Sequence, residues 1–144
     1  QRWVMAASPD YLERHGAPRS LKDLSDHTCL QLLLGDNSSY RWEVNDGGEA
    51  RRLRVPGLLT INDTATTISA CKAGLGIAYV LEARIGDELA RGELQIVLKK
   101  HAFDEDPFHI YYGSRRYKHP ALMTLIDIVR RQQSLPKLAR GSSR

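Results

Sequence analysis

Apolar positions along this chain change their period repeatedly, and each change marks an element. Trp3-Val4-Met5-Ala6-Ala7 is an unbroken apolar run of strand length, the pattern of a strand covered on both faces. It stops at Ser8-Pro9-Asp10. There a hydroxyl cap, a proline at the first helical position and an acid in the first turn predict a short helix ending at Gly16. Ser20 and Asp23 have capping-box spacing and predict a second short helix, followed by a strand over Thr28–Leu34. Tyr40–Val44 and Arg51–Val55 flank Asn45-Asp46-Gly47-Gly48, a hairpin signal. After the Pro56-Gly57 break, Leu58–Ile61 reads as a strand. A helix from Asp63 to Ala73 then sets Ala65, Ile68, Cys71 and Leu75 three or four residues apart on one apolar face. Gly74 suits its exit, with Leu75 folding back onto it.

Gly76–Val80 and Leu94–Leu98 are the next strands, with a short helix ending at Gly92 between them. Asp104-Glu105-Asp106-Pro107 is a polar break before a strand at Phe108–Tyr112. His119-Pro120 opens a last helix, whose Leu122, Leu125, Ile126 and Val129 form a core-facing stripe. Ser134–Arg144 is a basic tail expected to fray. Strands alternating with helices, plus one inserted hairpin, predict an α/β layered fold with a mixed sheet.

Composition narrows the function. No apolar run approaches the roughly 18 residues of a membrane span, so no membrane partner is expected. The net charge of +4 is spread along the chain and makes no nucleic-acid surface. Arg51-Arg52-Leu53-Arg54 alternates on the hairpin and could touch phosphate, but exposed hairpin arginines are more often solvated; Tyr111-Tyr112-Gly113-Ser114-Arg115-Arg116 could stack and pair with a ligand, but reads first as a strand end. Cys29 and Cys71 are far apart and set in apolar segments, so they read as small buried hydrophobes in a reducing cytoplasm. The five histidines have no metal or dyad spacing, and Ser8 has no nucleophile-elbow context. Neither an enzyme, a metal nor a cofactor is predicted.

The chemistry falls instead at strand-to-helix corners. If the Trp3–Ala7 and Leu58–Ile61 strands are parallel, Ser8 meets Asn62-Asp63-Thr64 on one rim of the sheet. Two helix N-termini would then offer unpaired N–H groups and a positive dipole end to a carboxylate or similar anion. Two readings of these residues stand side by side: ligand contacts, or caps of their own helices.

Ala7-Ser8-Pro9-Asp10-Tyr11-Leu12 with His15-Gly16, then Pro18-Arg19-Ser20-Leu21-Lys22-Asp23-Leu24 and His27-Thr28-Cys29-Leu30, resembles LysR-type transcriptional regulators. So do Ile61-Asn62-Asp63, Ala73-Gly74-Leu75-Gly76-Ile77-Ala78, Gly92-Glu93-Leu94, Val97-Leu98, Tyr111-Tyr112 with Arg115-Arg116, and the Pro120–Arg131 helix. The resemblance extends to about Gln133. It implies a two-lobed effector domain of the periplasmic-binding-protein-like type II fold, behind an N-terminal winged helix-turn-helix. By position, residues 1–106 resemble the second lobe and residues 107–133 the return strand and helix of the first, with 134–144 a flexible basic tail. A small metabolite such as an organic acid would bind between lobes and reset the grip of a homodimer or tetramer on promoter DNA. DNA would be met only through an N-terminal domain that this chain, which reads as a piece of a longer protein, does not include. The ligand contacts implied are Ser8, Asn62, Asp63 and Thr64, with Thr67 one turn into the helix. A solute-binding protein of a transport system shares this architecture and is the alternative.

Overall fold

The computed structural model describes residues 1–57, 59–106 and 120–133. The chain divides into two compact units, Gln1–Phe108 and His109–Arg144. In the first, β1 (Arg2–Ala7) leads to α1 (Pro9–His15), a 3-10 turn at Leu21–Asp26, and β2 (Cys29–Leu32). The hairpin β3 (Trp42–Asp46) and β4 (Glu49–Leu53) follows, then β5 (Leu59–Ile61), α2 (Thr64–Lys72) and β6 (Ile77–Leu81). A 3-10 turn at Glu82–Arg84, α3 (Gly86–Ala90), β7 (Gln95–Val97), a 3-10 turn at Lys99–His101 and β8 (Phe103–Asp104) complete the unit.

The main sheet is mixed. Its order is β5-β2-β6-β1-β7, with β8 also paired to β1. β2 runs parallel to β5 and β6, whereas β1 is antiparallel to β6, β7 and β8. Alternation along β1 sends Met5 and Ala7 to one face, and Val4 and Ala6 to the other. The first face carries Cys29, Ile77 and Tyr79 and is covered by Tyr11, Leu24 and the hairpin's Trp42 and Val44. The second carries Leu30, Ala78 and Val80 and is covered by Ile68 and Cys71 of α2 together with Ile85 and Leu94. Burial on both faces is why β1 and β6 are apolar without alternation. The chain enters and leaves the sheet side by side: Arg2 lies opposite Asp104, and Glu105 N–H donates to the Gln1 carbonyl at 2.7 Å.

Several elements depart from expectation. The hairpin turns on Gly47-Gly48 alone, both at positive φ, so its strands run two residues further into the turn at each end than the sequence suggests. Leu75 does not fold back: its N–H closes the helix onto the Ala70 carbonyl at 3.1 Å, but its side chain is 52% exposed. Once Gly74 adopts φ +73°, the chain leaves the helix axis and carries Leu75 outward. Ala65 is exposed too, so the covered face of α2 is narrow. The Ser20–Asp23 segment is 3-10 rather than α-helical.

In the second unit, α4 spans Pro120–Gln133. Ile126 is buried and Leu122 and Val129 half-buried, but Leu125 is 55% exposed. The stripe is therefore the narrower set spaced i, i+4, i+7, with Leu125 outside it. The strand expected over Phe108–Tyr112, the Tyr111–Arg116 segment and the tail from Ser134 lie outside the described residues.

Candidate functional site

Strand direction decides which corners can meet. β1 is antiparallel to β6, and β6 shares its direction with β2 and β5. Ser8, at the carboxyl end of β1, therefore sits on the opposite rim from Asn62-Asp63-Thr64, at the carboxyl end of β5. The expected meeting of the two corners does not occur, because its premise of parallel strands fails. Ser8 lies instead beside the exit of α2: a Cβ built on Gly74 would stand 3.5 Å from its hydroxyl.

That rim is closed. The buried Ser8 Oγ accepts the Tyr11 N–H at 3.3 Å, capping α1. Arg14 donates to Asp10 at 2.8 Å and to the Gly74 carbonyl at 3.0 Å, sealing the end of α2. The Tyr11 hydroxyl accepts the Thr28 N–H at 3.0 Å and lies 3.1 Å from His27 Nδ1; burial raises its pKa.

The other rim is open. The carboxyl ends of β2 and β6, the start of β1 and the first turn of α2 surround a hollow of about 290 Å³. Leu30, Leu32, Val80 and Leu81 make it largely apolar, and Trp3 and Tyr79 add stacked rings with centroids 5.1 Å apart. Its polar groups are few: the hydroxyls of Thr64 and Thr67, and the guanidinium of Arg84. Thr67 is buried, and its Oγ1 donates to the Asp63 carbonyl at 2.9 Å, which leaves the oxygen's lone pairs aimed elsewhere. Arg84 is exposed and has no salt bridge among the described residues. An apolar chamber with a few convergent polar groups is the usual form of a small-molecule site.

Asp63 caps α2. Its carboxylate accepts the Thr66 N–H and the Thr66 hydroxyl, each at 2.7 Å. Those bonds, with the nearby charge of Arg84 a smaller contribution, hold its pKa below the ordinary value of 3.8. Asn62 is exposed on the same corner and does not line the hollow. Of the five residues singled out from sequence, Thr64 and Thr67 line this chamber, Asp63 and Asn62 flank it, and Ser8 is on the far rim.

Sequence reasoning missed Trp3, Tyr79 and Arg84. Trp3 opens the first strand and Arg84 ends the turn after β6. Only knowing that β1 runs against β6 brings both to the corner of α2.

The two cysteines are buried thiols on opposite faces of the sheet. Burial pushes Cys29 up to about 12 and Cys71 to about 11, so neither is a thiolate nucleophile near neutrality.

Comparison with known proteins gives a consistent result. Residues 1–134 match the family model described as LysR substrate binding domain. The chain is 31% identical over 130 residues to a putative transcriptional regulator of Pseudomonas aeruginosa, covering 90% of this chain and 42% of that protein. It is 32% identical over 125 residues to the HTH-type transcriptional regulator PgrR of Escherichia coli, covering 86% and 42%. The chain thus spans less than half the length of these curated relatives. Among solved structures, the regulatory domain of CrgA, a LysR-type transcriptional regulator from Neisseria meningitidis, superposes with a TM-score of 0.64 at 28% identity, over 72% of this chain and 50% of that one. The regulatory domain of AphB from Vibrio vulnificus gives 0.63 at 28% identity, over 72% and 50%.

Proposed function

The chain belongs to the LysR substrate-binding domain family, the effector-binding part of LysR-type transcriptional regulators, and we propose that its effector is a small organic acid held in the chamber at the head of α2. One observation carries this reading. The chamber brings Thr64, Thr67 and the Arg84 guanidinium, which is in no salt bridge among the described residues, against an apolar, aromatic wall. A guanidinium held in no salt bridge is available to an incoming carboxylate. The α2 N-terminus adds a positive dipole end, and the Thr64 hydroxyl can donate to the second oxygen. Leu30, Leu32 and Val80 would cover the carbon body of the acid. Ser8, on the closed rim, is a helix cap in this proposal; Asn62 and Asp63 shape the corner.

In the intact protein, effector binding would favour one arrangement of the effector domain over another and so reset how a homodimer or tetramer engages promoter DNA through a separate N-terminal domain. The relatives are transcriptional regulators, which favours this over the solute-binding alternative and accords with a cytoplasmic, non-enzymatic role. No helix among the described residues is long and apolar enough to cross a membrane.

The test is a thermal-shift screen of the intact regulator against small aliphatic and aromatic carboxylates. A bound acid at about a hundred times its Kd stabilises the folded state by about 2.7 kcal/mol. The shift should disappear in a Thr67→Val/Arg84→Gln variant and persist in Ser8→Ala. An unchanged shift in Thr67→Val/Arg84→Gln would place the effector elsewhere.

A further inference from the structure

A second hollow, of about 740 Å³, opens between the chain after β2 and the β3–β4 hairpin. It is built from the hairpin's outer face. Trp42 lies opposite Leu53 and Glu43 opposite Arg52; Arg41 and Arg54 flank the open end of this ladder. Trp42 and Val44 face the core, so alternation puts Arg41, Glu43, Arg52 and Arg54 together on the other side, and all four line the hollow. Arg52 is paired with Glu43 at 2.7 Å. Arg41 and Arg54 have no ion pair or hydrogen bond among the described residues. Three guanidiniums against one carboxylate leave two positive charges. Like charges gathered on one wall repel each other, so the surplus costs the fold stability.

Several neutral groups nearby are already committed. The Gln31 amide donates to the Val55 carbonyl at 2.7 Å, the Ser39 hydroxyl to Gln31 Oε1 at 3.1 Å, and the Tyr40 hydroxyl to Glu43 at 3.4 Å. The charge offered to a ligand is that of the guanidiniums.

We propose that the hollow facing Arg41 and Arg54 is a second, anion-binding site that takes a compact oxyanion of charge −2, a phosphate monoester or a short dicarboxylate. A dianion would neutralise the surplus charge, and two forked guanidiniums suit its paired oxygens. The site shares no lining residue with the organic-acid chamber, although Tyr40 stacks on Trp3 and Tyr79 of that chamber at 6.0 and 6.2 Å.

The test titrates the 144-residue chain carrying Arg84→Gln, which disables the other chamber, with inorganic phosphate and separately with succinate, by calorimetry. One saturable event is expected, weakened at least about tenfold by Arg41→Gln or Arg54→Gln. It should be unchanged by Arg51→Gln, whose guanidinium pairs with Asp46 elsewhere on the hairpin. The Arg41→Gln and Arg54→Gln proteins should melt at or above the parent temperature, because a surplus positive charge has been removed from one wall; lost binding is then not lost folding. Tighter phosphate identifies the phosphate-ester source and tighter succinate the dicarboxylate source. Three results would overturn the site: no saturation by either probe, binding that survives both substitutions, or capture of a short DNA duplex through these arginines while neither small anion binds.

Discussion

The two rims of the main sheet start from similar local sequences and end differently. Ser8-Pro9-Asp10 and Asn62-Asp63-Thr64 each join a strand to a helix through a short polar cap. On the first rim the cap side chain is buried, and Arg14, Asp10 and Gly74 tie the neighbouring helix end shut. On the second the cap is exposed, and the same kind of corner opens into a chamber whose Arg84 guanidinium is in no salt bridge among the described residues. A capping motif alone therefore does not mark a site. The direction of the neighbouring strands decides whether the corner faces another helix end or empty space.

The contrast breaks most severely at Gly76, at the head of β6 on the closed rim. A Cβ there would stand 2.5 Å from the Thr28 carbonyl oxygen, a backbone atom that cannot swing aside. Gly76→Ala should cost about 3 kcal/mol of stability in urea titration, with effector affinity of the folded fraction retained. On the open rim the order inverts. Arg84→Gln should lower affinity for a carboxylate effector by about tenfold or more while leaving the urea midpoint nearly fixed; a large drop in stability with unchanged affinity would contradict the assignment of the two rims. Ser8→Ala should remove about 1 kcal/mol, the ordinary value of a helix cap, and leave effector affinity untouched.

The smallest effect is a pH dependence. The carboxyl of Asp63 titrates lower in the folded protein than its ordinary 3.8. Its stabilising contribution is complete above that value and disappears as pH falls through the lower folded one, because the unfolded chain takes up the proton first. Asp63→Asn should therefore reduce the difference in melting temperature between neutral pH and pH below 3.8, measured against the parent. Asp23 and Asp36, also held low by hydrogen bonds from Ser20 and Ser38, continue to titrate in both proteins and cancel in the comparison.

Much of the fold was legible because it is written in local chemistry. The apolar runs of β1 and β6, the Ser8-Pro9 and Asp63 caps, and Gly74 at the exit of α2 each declare themselves within a few residues. What failed depends on distant partners. The relative direction of β1 and β5 is fixed by strands that lie between them in the sheet, so no local pattern shows it, and the placement of Ser8 went wrong with it. Arg84 was invisible for the same reason, being an arginine in a three-residue turn with no motif around it. Leu75 and Leu125 have the right spacing for a core face, yet burial needs something opposite, and periodicity does not supply that.

The adjacent entry and exit of the first unit carry a mechanical consequence. β1 and β8 are antiparallel, with Arg2 beside Asp104 and Gln1 beside Glu105. A load pulling residues 1 and 106 apart would open the ladder one hydrogen bond at a time, as a zipper opens, rather than shearing all of them together. Under tension the unit should yield first at this seam and at low force, its layers behind Trp3 still closed when the first bonds part.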